Sequence, residues 1–273
     1  MTRLVHREAG PVDGPCALLV HGYPESSHMW RHVLEALGGA GWRAIAPDLP
    51  GFGDSPVQRP GTWARHVEAL EAFRQDLGLQ RVALVVHDWG GLIGLRWACD
   101  HPDAVSALVI SNTGFFPDGR WHGTAQALRK EGTGESLVDG LTRKAFISLM
   151  ESTLPEPLDE ESVDQYFKAF ADAERRAAQL ELYRSGEFSE LEPYRGRLAG
   201  LGVPTLVLWG SEDAFAPVAG AHRFVREIPG AELRILDGAG HFVFDEEPER
   251  TADAVVSFLA RLLPSQQGAS TRV

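Results

Sequence analysis

The chain alternates between short apolar runs and stretches of helical spacing. Positions 82–86 are apolar without interruption (Val82-Ala83-Leu84-Val85-Val86), which predicts a strand buried on both faces. Similar runs at 17–20, 43–47 and 105–110 predict further strands. Between them, apolar residues recur every three or four positions at 29–37, 63–77 and 92–98, the period of a helix covered on one side. Gly38-Gly39, Gly78 and His101-Pro102 close these helices. Strands alternating with helices in this way predict a parallel sheet with crossover connections.

The alternation stops over 114–201. No strong strand occurs there, and charged residues share the segment with helical periodicities. Val163, Tyr166, Phe167 and Phe170 fall on one helical face, and Leu180 and Tyr183 fit a second helix. The strand pattern returns at 204–209, followed by a helix at 219–228, a strand at 232–236 and a final helix at 249–263. Pro248, among Glu246, Glu247 and Glu249, marks the start of that helix. The fold class expected is α/β: a mostly parallel central sheet flanked by helices, with an inserted helical cap. Residues 1–113 and 202–264 would form the core, 114–201 the cap, and the polar 265–273 a flexible tail.

A length of 273 residues suits one α/β core with an insertion. The net charge of −12 argues against nucleic acid or an anionic membrane surface as partner. No apolar run approaches ~18 residues, so no membrane span is expected. No apolar segment follows Met1-Thr2-Arg3, so no signal peptide is expected. Cys16 and Cys99 fall on a predicted strand and a predicted helix and form no CxxC, which suggests reduced core thiols in a cytoplasmic protein. A monomer or homodimer acting on a small hydrophobic molecule fits this composition.

The chemistry centres on His87-Asp88-Trp89-Gly90-Gly91, where the 82–86 strand turns sharply into a helix. A turn of this form lifts one side chain above a sheet edge as a nucleophile, and here that side chain is Asp88. Negative charge developing on an ester of Asp88 needs donors. The N–H after the nucleophile, that of Trp89, is one; the loop His21-Gly22-Tyr23-Pro24 offers the N–H of Tyr23 as the other. His241, after the flexible Asp237-Gly238-Ala239-Gly240, is the best placed base. His87 suits packing or hydrogen bonding, and His28, His32, His66 and His222 fall on helices as surface or satisfied residues. Asp213, after the 204–209 strand, is the favoured orienting acid. Glu212 is its rival by adjacency, and the end of the 105–110 strand carries the uncharged Asn112. The order Asp88, Asp213, His241 is that of the α/β-hydrolase elbow. No HExxH or paired metal spacing occurs, and neither a metal nor an organic cofactor is expected.

These residues resemble the α/β-hydrolase superfamily over nearly the whole chain, and in particular its branch with an aspartate nucleophile, the epoxide hydrolases and haloalkane dehalogenases. His21-Gly22-Tyr23-Pro24-Glu25-Ser26 resembles the oxyanion segment of epoxide hydrolases, whereas Leu92-Ile93-Gly94-Leu95-Arg96 is closer to dehalogenases. In a dehalogenase the resemblance implies two side-chain N–H donors for the halide. Trp89 matches one, while the Asn usual after His-Gly is replaced by Tyr23, and the cap contains only Trp121 for that purpose. In an epoxide hydrolase it implies cap tyrosines, usually two, that donate to the ring oxygen. Tyr183 resembles one by position; Tyr166 and Tyr194 are the other cap tyrosines.

The expected mechanism has two steps. Asp88 attacks an sp3 carbon to form an alkyl ester, and His241, oriented by Asp213, activates water against that ester. Phe115, Phe116, Trp121, Phe146, Tyr166, Phe167 and Phe170 are expected to contribute to an apolar, substrate-binding roof. The reading favours an epoxide as substrate, with a haloalkane as the alternative and a non-catalytic ligand-binding role as a lesser one.

Overall fold

A computed structural model describes residues 3–263; the tail at 265–273 lies outside the described residues. Seven strands form one sheet: β1 (His6–Ala9), β2 (Cys16–Val20), β3 (Arg43–Pro47), β4 (Val82–His87), β5 (Val105–Ser111), β6 (Thr205–Gly210) and β7 (Glu232–Leu236), in the order β1-β3-β2-β4-β5-β6-β7. All neighbours run parallel except β1, which pairs antiparallel with β3 at the edge. The apolar run of β4 is buried over its whole length, as a strand covered on both faces must be. β1 (His-Arg-Glu-Ala) has no apolar run of its own, so its pattern is silent; pairing with β3 makes it a strand.

Register places the chemistry. Val20 stands opposite Val86, and Val86 opposite Ile110. Thus β2, β4 and β5 end at one level, and the loops carrying Tyr23, Asp88 and Asn112 leave the same carboxyl edge of the sheet. Open parallel sheets bind their ligands at this edge.

Helices α1 (Arg31–Gly39), α2 (Trp63–Asp76) and α3 (Trp89–Asp100) follow β2, β3 and β4. The helical pattern expected from residue 29 begins as a 3-10 turn, Ser27–Trp30, capped by the Ser26 hydroxyl. After β6 come α10 (Ala219–Glu227), then, past β7, α11 (Val243–Glu246) and α12 (Pro248–Ala260). α1 packs on α12, and α2 on α3. Two predicted surface or satisfied histidines differ in burial. His28 and His66 are 2% and 1% exposed, because each lies on the inward side of its turn; His28 meets the Ser162 hydroxyl at 3.1 Å, while Nδ1 of His66 has no partner.

Between β5 and β6 the described structure is helical: α4 (Gly123–Arg129), α5 (Thr133–Asp139), α6 (Arg143–Glu151), α7 (Glu160–Phe167), α8 (Ala173–Arg184) and α9 (Arg197–Gly200), with short 3-10 turns. Side-chain caps from Thr142, Asp159 and Asp172 start α6, α7 and α8. The Arg175 guanidinium fastens α8 to the core by donating to the carbonyls of Gly51, Gly53 and Ser55, each at 3.1 Å. No helix among the described residues is long and apolar enough to cross a membrane.

Candidate active site

Asp88 sits between β4 and α3 with φ +46°, a conformation that L residues avoid. Its surroundings hold it there. The Thr113 hydroxyl donates to its carbonyl at 2.6 Å, and the Gly91 N–H does so at 2.8 Å. A Cβ at Gly90 would meet the Val20 carbonyl oxygen at 2.1 Å, so only glycine lets α3 start this close to β2. The oxyanion loop approaches from the other side: a Cβ at Gly22 would stand 2.5 Å from the Asp88 Cβ. That approach lets the Tyr23 N–H donate to Asp88 Oδ2 at 2.8 Å. His21 braces the loop by accepting from the Leu49 N–H at 2.9 Å.

His241 and Asp213 meet the same carboxylate. Nδ1 of His241 lies 2.8 Å from Asp213 Oδ2, and its Nε2 lies 3.8 Å from Asp88 Oδ1. Because a carboxylate only accepts, the first contact assigns the ring proton to Nδ1 and leaves Nε2 free to take one. Asp213 also receives the Phe215 and Ala216 N–H groups at 2.7 and 2.8 Å and the Asn112 amide at 2.7 Å. Burial alone would raise its carboxyl pKa, but His241 and these donors hold it below the ordinary value. Burial likewise opposes charge on His241, yet Asp213 and then Asp88 hold its pKa above the ordinary value. Glu212 is exposed and takes no part. Asn112, where an acid could have stood, instead donates to the acid that is present.

An apolar cavity of about 210 Å³ rises over Asp88 and His241, walled by Tyr23, Phe146, Phe170, Tyr183 and Phe215. A second, of about 540 Å³, reaches Asp88 from the side of Trp89, Phe116 and Trp121. Trp89 and Tyr183 lie side by side next to Asp88. The two rings stand edge to face with centroids 5.2 Å apart. Burial, then Tyr23 and the charge of Asp88, push the Tyr183 pKa well up, so the phenol keeps its proton.

Several expected roof residues lie elsewhere. Tyr166 donates to Asp245 Oδ2 at 2.7 Å, beside Arg31, and lines neither cavity that touches Asp88; its hydroxyl is drawn away by a buried carboxylate. Phe115 lines neither cavity and packs on Tyr194 (5.9 Å between centroids). Phe167 backs Phe146 from outside (5.7 Å). Tyr194 donates to Asp100. His87 is wholly buried, its Nε2 3.3 Å from Glu25 Oε2. Sequence reasoning missed His122 and Phe215, which line both cavities. Phe215 could have been found by its place two residues after Asp213; nothing in the local pattern marks His122.

The family model that describes the alpha/beta hydrolase fold matches residues 18–248. The chain belongs to this family. More specifically, this hydrolase belongs to the branch with an aspartate nucleophile. It is 31% identical to a haloalkane dehalogenase from Mycobacterium marinum, over 94% of this chain and 88% of the relative. The structure of an ancestral haloalkane dehalogenase superposes with a TM-score of 0.83 at 27% identity, covering 95% of this chain and 96% of that one. An epoxide hydrolase from Vigna radiata shares the fold with a TM-score of 0.78 at 24% identity, covering 95% of this chain and 98% of that one.

Proposed function

We propose that this hydrolase cleaves carbon–halogen bonds in small hydrophobic haloalkanes through an alkyl ester on Asp88. The observation that carries the reading is the Trp89 indole set edge to face against Tyr183, the two lining the cavities that meet at Asp88. The Tyr183 hydroxyl can turn its proton onto a departing halide, and the indole N–H, fixed in its ring plane, is a second donor. The dehalogenase relatives support placing carbon–halogen cleavage first.

Tyr23 N–H fixes Oδ2, so Oδ1 attacks carbon and the halide leaves with the bonding pair. Nε2 of His241 then takes a proton from water, which attacks the ester carbonyl. The charge on that oxygen is met by the Tyr23 N–H and, by its place after the nucleophile, the Trp89 N–H. Collapse breaks the bond between the carbonyl carbon and Oδ1, and the departing alkoxide takes the proton from His241 and leaves as the alcohol. Asp88 keeps the water's oxygen and loses its proton to solvent to become a carboxylate again.

Epoxide opening, the first expectation from sequence alone, stands as the second reading. Tyr183 favours it, because a phenol can donate to the alkoxide that an opening ring produces. The triad geometry weighs against a pure binding role. His241→Gln should trap the intermediate. Mass analysis of the peptide bearing Asp88 after incubation with 1-bromobutane should show an alkyl adduct and one equivalent of bromide. A hydroxyalkyl adduct from styrene oxide alone would favour the second reading, and no adduct from either would refute both.

A further inference from the structure

His122 has no part in the triad, yet it borders both cavities that meet at Asp88. Its position is built rather than incidental. Trp121, the preceding residue, stacks on Trp89 with centroids 5.5 Å apart and a 25° interplanar angle. The Arg129 guanidinium covers the same indole at 4.9 Å, and the Gln126 amide donates to the Trp121 carbonyl at 2.8 Å. The His122 ring stands edge-on to Phe215 (5.0 Å), and Phe215 in turn stands against His241 (5.1 Å).

The hydrogen bonding of the ring fixes its proton. The Ala125 N–H donates to His122 Nδ1 at 3.4 Å, so Nδ1 is the acceptor and the proton sits on Nε2. Burial disfavours the charged form and lowers the pKa, opposed by Asp88. The ring is therefore a neutral N–H donor in the wall of both cavities that touch Asp88.

We infer that His122 is a further catalytic residue, whose Nε2–H donates to the atom leaving the carbon attacked by Asp88. This rests on the proposed carbon–halogen reading. The Asp88 Oδ1–carbon bond forms, the carbon–halogen bond breaks, and the electron pair leaves on the halide. The His122 proton stays on nitrogen and only solvates the anion. Chloride, the harder acceptor and poorer leaving group, gains most from such a donor.

The test is single-turnover ester formation with 1-chlorobutane and 1-bromobutane in the parent, His122→Asn and His122→Phe. Asn keeps both a cap acceptor and an N–H donor, whereas Phe keeps neither. Ester formation should fall about 10²-fold in His122→Phe, the usual consequence of removing one such donor. The loss should be larger for chloride than for bromide, while His122→Asn stays within about threefold of the parent by the same criterion. Hydrolysis of the preformed ester should be unchanged in both. Melting curves show that each variant is folded. Equal loss in both variants, or equal loss for both halides, would mean a packing role and overturn the inference. So would parent-like ester formation in His122→Phe. If the parent itself forms no ester from either haloalkane, the carbon–halogen reading fails first and takes this inference with it.

Discussion

Replacing Asp213 by Asn separates the two chemical steps. Four donors converge on this carboxylate: the His241 ring and the Asn112 amide on Oδ2, and the Phe215 and Ala216 N–H groups on Oδ1, all between 2.7 and 2.8 Å. In Asp213→Asn the remaining carbonyl oxygen can keep the two backbone donors. The new NH2 then faces the Asn112 amide and His241 Nδ1. His241 can answer only by accepting at Nδ1, which moves its proton to Nε2, the nitrogen that must deprotonate water. Loss of a general base slows a step by ~10² to 10⁴, and ester hydrolysis should slow by that factor. Attack by Asp88 needs no base, so ester formation should stay within a few-fold. The Asn112 amide loses one of its two acceptors and keeps the Gly240 carbonyl at 3.2 Å, so stability should fall by about 1 kcal/mol. Rapid-quench mass spectrometry with 1-bromobutane reads both steps: the variant should release one equivalent of bromide and hold a stoichiometric alkyl ester. If ester formation and hydrolysis slow together, or turnover stays within threefold of the parent, the assignment of Asp213 is wrong.

The remaining expectations test the site from other sides. Gly22→Ala forces a Cβ to within 2.8 Å of Asp88 Oδ2 and displaces the Tyr23 N–H; since misplacement by ~1 Å can cost ~10²-fold, kcat should fall by about that factor with little change in melting temperature, and unchanged turnover would discount the close approach. Tyr183→Phe should slow ester formation from styrene oxide more than from 1-bromobutane, because the alkoxide depends on the phenol while bromide keeps the Trp89 N–H; equal loss on both would contradict this. Ester hydrolysis needs neutral His241, whose pKa is held above the ordinary value, so the rate should fall as pH drops through that raised pKa. Esterification removes the charge of Asp88, one of the groups holding that pKa up. The acid limb of hydrolysis should therefore lie below the His241 titration of the free enzyme measured by NMR, and the reverse order would refute the coupling.

The parts of this molecule legible in sequence are those dictated by short-range physics. β4 is an unbroken apolar run because it is covered on both faces, and the break to Asp88 marks the elbow directly. The loops after β6 and β7 announce Asp213 and His241 by following strands of the same sheet. β1 was hidden because its four residues carry no pattern of their own. The cap was harder for the same reason. α4, α5 and α6 are seven to nine residues long with at most two buried side chains each, too few to show a period. Which cap aromatics face Asp88 depends on how those helices dock. Tyr183 and Phe146 turn inward, but Tyr166, on an equally apolar helix face, is claimed by Asp245. His122 gives no local signal at all, since its place comes from Trp121 stacking on Trp89.

The central claim is that the Asp88 carboxylate itself becomes bonded to carbon. One turnover in water enriched in oxygen-18, with enzyme in excess over 1-bromobutane, tests it most directly. The account predicts butanol carrying ordinary oxygen and the heavy atom in the peptide that contains Asp88. Heavy oxygen in the butanol of that first turnover, with none in the peptide, would contradict it.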